Sequence, residues 1–116
     1  MKRVSLSGHH WIVEFYGARA LDDVRVIRRG LRNAAKLSGA TLLKTQLHHF
    51  GAGGGVTGVA LLAESHISIH TWPERGYAAI DAFMCGSAEP RRVVPILRYA
   101  FKAGRIAVSE QLRGVL

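Results

Sequence analysis

Only two stretches of this 116-residue chain carry helical periodicity, and most of the rest alternates or runs apolar as strands do. From Leu21 to Ser38 the apolar residues Leu21, Val24, Ile27, Leu31 and Ala34/Ala35 recur at steps of three and four, and Gly39 is a good stop. A second helix is expected over Pro90–Ala103, ended by Gly104. Pro95 removes a hydrogen bond from it, so this helix kinks or starts late. Strands are expected over Gly8–Gly17, Thr41–Phe50, Val56–Ala63, His66–Thr71 and Tyr77–Met84, with a short closing strand over Ile106–Val108. Gly51–Gly55 is a loop that only glycine makes easy. Two helices cannot cover both faces of a sheet of about six strands. The expected fold is therefore α+β, a two-layer α/β sandwich. Its sheet is mainly antiparallel, both helices lie on one face, and the other face packs in a dimer.

The length suits a single domain over residues 1–116, and a chain 48% hydrophobic is globular rather than disordered. No apolar run approaches the length of a membrane span, and Met1–Ser5 is a basic start with no apolar stretch behind it. The lone Cys85 forms no internal disulfide, which suits a reducing, cytoplasmic location. The net charge of +8 invites an anionic partner such as nucleic acid. However, Arg25, Arg28 or Arg29, Arg32 and Lys36 recur along one face of the first helix, and no recognition motif accompanies them. A solvated basic surface is the better reading; a nucleic-acid-binding module is a distant alternative.

Glu64-Ser65-His66-Ile67-Ser68-Ile69-His70 sets a carboxylate, hydroxyls and two histidines into a strand pattern, where packing has no use for them. Metal binding is disfavoured. His9-His10 and His48-His49 are neighbours on strands and point to opposite faces, and His66 with His70 supplies only two ligands. A hydrolase built on Ser65, His70 and Asp81 lacks the strand-to-helix elbow that exposes such a serine. The glycine loop lacks the Lys-Ser/Thr of a phosphate-binding loop. Self-processing is a fourth chemistry that these residues allow. The Ser65 hydroxyl attacks the preceding carbonyl, the amide becomes an ester, and loss of the serine α-proton expels the upstream chain. Ser65, Thr57 and His70 supply the nucleophile, a hydroxyl donor and a base.

The run Glu64–Glu74, with Gly76-Tyr77-Ala78-Ala79-Ile80-Asp81 and Cys85-Gly86, resembles the prokaryotic S-adenosylmethionine decarboxylase family. The similarity extends to Gly8–Gly17, Ser38–Thr41 and His49-Phe50. The resemblance implies a zymogen cut between Glu64 and Ser65 into a β chain, 1–64, and an α chain, 65–116. Ser65 becomes the pyruvoyl cofactor, whose ketone takes the substrate amine as a Schiff base. It further implies that His70 and the Thr57 hydroxyl serve processing, Thr57 standing where the family usually has serine. Cys85 matches the thiol that returns a proton to the substrate carbon. Phe50 and Trp72 offer surface to the adenine and the sulfonium, Glu74 matches a position near the ribose, and Glu14 and Asp81 are electrostatic partners. The implied reaction converts S-adenosylmethionine to the aminopropyl donor of spermidine synthesis, in a homodimer. The alternative is the same chemistry on ornithine or arginine, because the loop after Phe50 is longer than the family's and Arg75 stands where an apolar residue is common.

Overall fold

A computed structural model describes residues 7–115, so the basic Met1–Ser5 start lies outside it. Six strands form one sheet in the order β2-β3-β4-β5-β1-β6, every neighbouring pair antiparallel. They are β1 (Gly8–Tyr16), β2 (Leu42–His49), β3 (Val56–Leu62), β4 (Ser65–Trp72), β5 (Tyr77–Met84) and β6 (Arg105–Arg113). Helices α1 (Val24–Leu37) and α2 (Val93–Phe101) pack on each other and on one face of the sheet. The two-layer α+β architecture is the one the periodicities imply.

Period-two alternation divides the sheet into two surfaces. In β5, Ala78, Ile80, Ala82 and Met84 are buried, while Tyr77, Ala79, Asp81 and Phe83 are only half-buried. In β4, Ile67, Ile69 and Thr71 are buried under the helices, and His66, Ser68, His70 and Trp72 stand on the open face. The core closes with Ile27 and Leu31 of α1 and Leu97 and Phe101 of α2, all fully buried. Each such side chain contributes about 1.5–3 kcal/mol by leaving water. The helices approach closely at Gly30, where an added Cβ would lie 3.1 Å from Leu97 Cδ2.

Three boundaries differ from expectation. α1 starts at Val24 rather than Leu21, because the Asp23 carboxylate accepts from the amides of Arg25 and Val26 at 3.0 and 3.2 Å. Leu21 is buried in the preceding turn. α2 starts late, at Val93, after a 3₁₀ turn over Pro90–Arg92. Pro95 therefore falls in the first helical turn, where its missing N–H breaks no intrahelical bond. β6 is far longer than Ile106–Val108 and pairs with all of β1, from Gly8↔Arg113 to Tyr16↔Arg105.

Candidate active site

β3 and β4 are joined by the two-residue turn Ala63-Glu64, so Leu62 pairs directly with Ser65. Glu64 has φ +61, a left-handed conformation that costs a residue with a Cβ about 1–2 kcal/mol. The bond after it, Glu64–Ser65, is gripped from both sides by one residue. The Cys85 amide donates to Ser65 Oγ at 3.2 Å, and the Cys85 thiol donates to the Glu64 carbonyl oxygen at 3.1 Å. β5 brings Cys85 there: Phe83 pairs with His66, Met84 ends the strand, and Gly86, at φ +62, turns the chain away. A serine hydroxyl is thus held beside a carbonyl already polarised by a donor, on a strained turn. That suits attack of the hydroxyl on its own upstream carbonyl.

Thr57 and His70 face each other across β3 and β4, with Thr57 Oγ1 3.2 Å from His70 Nδ1. They lie at the opposite end of the sheet. Ser65 and His70 are five residues apart on one strand, roughly 16 Å at strand rise, and an odd spacing turns their side chains to opposite faces. The three processing residues named from the sequence and the proton donor Cys85 therefore form two pairs, Ser65 with Cys85 and Thr57 with His70, separated by most of the length of β4.

The substrate-side residues gather at the Thr57/His70 end. Trp72 follows His70 on the open face, its ring 6.4 Å from that of His70 and 5.2 Å from Tyr77. Tyr77 stacks on Tyr16 at 5.5 Å, and the Arg105 guanidinium lies 4.2 Å above Tyr16, closing a ladder across four strands. Glu74 is exposed in the 3₁₀ turn Pro73–Arg75 directly after Trp72. Phe50 directly follows β2, 64% exposed, its ring edge-on to His48 at 4.5 Å. The glycine loop folds back beside it through Phe50 N–H to Gly55 O at 3.0 Å. A Cβ on Gly55 would collide with the Thr71 carbonyl, so this loop can lie against β4 only with glycine there.

The acidic groups on the open face, Glu14 level with His70 and Asp81 level with Ser68, are engaged. Glu14 accepts from the Tyr77 hydroxyl on both oxygens, at 2.9 and 2.8 Å. Burial first, and then this carboxylate, push the Tyr77 phenol up to about 12. Asp81 lies 3.0 Å from His10 Nε2 and accepts from Ser68 at 3.4 Å. Asp81, His70 and Ser65 thus have three separate sets of partners, and no hydrolase triad forms. His9 and His10 part as their adjacency requires, His9 to Glu110 and His10 to Asp81. Tyr16 and Arg105 escaped the sequence reading. Their contact depends on the register of β6, which no alternation announced.

Residues 9–114 match the family described as S-adenosylmethionine decarboxylase. Two proteins named S-adenosylmethionine decarboxylase proenzyme are similar throughout. One, from Thermomicrobium roseum, is 41% identical over 94% of this chain and 95% of that protein. The other, from Methanococcus vannielii, is 47% identical over 94% of this chain and 91% of that protein. Among solved structures, the adenosylmethionine decarboxylase of Aquifex aeolicus superposes with a TM-score of 0.87 at 35% identity, covering 97% of this chain and 94% of that one.

Proposed function

The chain belongs to the S-adenosylmethionine decarboxylase family, and on that premise we propose that it is made as a proenzyme, cuts itself between Glu64 and Ser65, and then decarboxylates S-adenosylmethionine. The observation that carries this is the double grip of Cys85 on the Glu64–Ser65 bond. Ser65 Oγ attacks the Glu64 carbonyl carbon, the C–N bond breaks, and an ester replaces the amide. The Cys85 thiol, already donating to that carbonyl oxygen, stabilises the charge that develops on it. Removal of the Ser65 α-proton then expels residues 1–64 with a Glu64 carboxylate and leaves dehydroalanine at position 65, and its hydrolysis by water, with release of its nitrogen as ammonia, leaves a pyruvoyl group at the head of residues 65–116.

Ser65 fits the cofactor because its hydroxyl is anchored beside its own upstream carbonyl. The pyruvoyl ketone supplies an electrophile for the substrate amine and a sink for the electrons released as CO₂ leaves. The protein's own groups do the rest. Cys85, at the same point, is the thiol that returns a proton to the substrate carbon. Phe50 and Trp72 present ring faces to the adenine and the sulfonium, and Glu74 accepts from the ribose hydroxyls.

These two sets of groups meet in a dimer. Ile12, Leu61 and Trp72 leave 39%, 45% and 38% of their surface exposed on the open sheet face. A second copy laid over that face by a two-fold axis that runs across the strands sets the Thr57/His70 end of one copy on the Ser65/Cys85 end of the other. His70 of the second copy is then the base for the Ser65 α-proton, and Thr57 holds its ring.

Mass spectrometry of purified protein and radiolabelled CO₂ release test the proposal together. Two fragments, 1–64 and 65–116, with release from S-adenosylmethionine exceeding that from ornithine and arginine, are expected. An intact Ser65 in active material overturns the mechanism. Faster release from a basic amino acid overturns the substrate and leaves the cleavage standing.

A further inference from the structure

The outer surface of the helical layer holds a groove of about 570 Å³ between α1 and α2. Val26, Gly30, Ile96 and Ala100 line it, and Leu37 and Tyr99 stand beside it, 57% and 76% exposed. It lies on the far side of the molecule from the open sheet face, so the proposed dimer leaves it free.

The charges that line it, Arg29 and Lys102, are of one sign. Neither helix contains an acidic residue. Arg25, Arg29, Arg32 and Lys36 form one stripe of α1, and Val26, Gly30, Asn33 and Leu37, each one residue on, form the stripe that lines the groove. The cations therefore run parallel to the groove for roughly 16 Å, about three turns. Arg98 and Lys102 extend the positive surface from α2. Among the described residues, none of these six cations makes an ion pair.

We propose that this groove docks an acidic amphipathic helix of another protein, its apolar stripe on the Val26/Gly30/Ile96 floor and its carboxylates along the arginine stripe. Charge complementarity selects the occupant. A second copy would bring an equally cationic face and be repelled. Nucleic acid would use the arginines and leave the apolar floor empty. A lipid surface is flat where this site is a channel. A helix with carboxylates at four-residue spacing matches the one-turn spacing of the cations over the same three turns. Binding through apolar contact and unscreened charge together is expected to weaken with salt.

The test titrates the full-length protein with a synthetic peptide of about 15 residues, leucine on one helical face and glutamate on the others, against a scrambled peptide of the same composition. Binding is read by calorimetry and by amide shifts. The expected result is saturable one-to-one binding, at least tenfold tighter than the scramble, with shifts confined to α1 and α2. The triple variant Arg25→Glu/Arg29→Glu/Arg32→Glu and the double variant Leu37→Ser/Tyr99→Ser should each weaken it tenfold or more, with decarboxylation unchanged as proof of folding. Equal binding of the scramble, no binding, or shifts on the open sheet face overturns the proposal. So does binding to phosphatidylglycerol vesicles or single-stranded RNA without binding to the peptide. A change in oligomeric mass caused by the double variant would make the groove a self-contact and equally overturn it.

Discussion

Cys85 touches both atoms that must react for the chain to cut itself, and it does so with chemically different donors. The amide that holds Ser65 Oγ survives any substitution but proline, whereas the thiol on the Glu64 carbonyl does not. Cys85→Ala should therefore still cut, roughly a hundred- to a thousandfold more slowly, the scale of losing one donor to a developing oxyanion. Ser65→Ala should not cut at all. Time courses of intact mass distinguish the two. Glu64 offers a second test. Its left-handed backbone stores about 1–2 kcal/mol, which breaking the following bond releases. Glu64→Gly removes that cost from the uncut chain and should slow cutting by up to about thirtyfold. An unchanged rate would mean that the strain is not spent in the rate-limiting step.

Among the elements, the β4–β5 hairpin is the most exposed to pH. The Tyr77 phenol is raised from 10 to about 12, by burial first and by Glu14 second. Below pH 10 folded and unfolded chains both keep this proton, and the contact contributes in full. As pH rises toward about 12 the unfolded chain gives the proton up while the folded chain holds it, so stability falls through that window. Tyr77→Phe should remove one proton's worth of slope there, read from urea unfolding at about pH 9 and about pH 11.5. On the neighbouring loop, Gly55→Ala drives a Cβ into the Thr71 carbonyl and should cost about 1–3 kcal/mol in the same measurement. These elements also show what a sequence makes legible. Helices and inner strands carry their period because one side must be apolar, so α1 and β3 to β5 were placed within a few residues. Edge strand β6 pairs on one side only and is exposed along nearly all its length, so no alternation marks it. Its ends, and with them the Arg105–Tyr16 contact, depend on its pairing with β1. Most residue types of the site were likewise visible in Glu64–Glu74, with Phe50, Thr57 and Cys85 outside that run. Their division between two ends follows from the five-residue separation of Ser65 and His70 along a continuous strand, and the odd spacing turns them to opposite faces.

Across the whole molecule, the proposed division of labour between copies makes a prediction that neither half makes alone. A His70→Ala chain keeps Ser65 and Cys85 but has no base to offer; a Ser65→Ala chain keeps His70 but has no nucleophile. Each expressed alone should stay intact. Co-expressed, the His70→Ala chain should be cut and the Ser65→Ala chain should not, as mass spectrometry of the mixture will read directly. No cutting in the mixture would place all four groups in one copy, against the roughly 16 Å between Ser65 and His70.

That gap along β4 also sets a clock. If maturation needs two molecules to meet, its half-time shortens as the protein accumulates, and a solitary newly made chain waits unbroken. Scission then becomes a record of encounter, so that every ripened molecule has already found its mate.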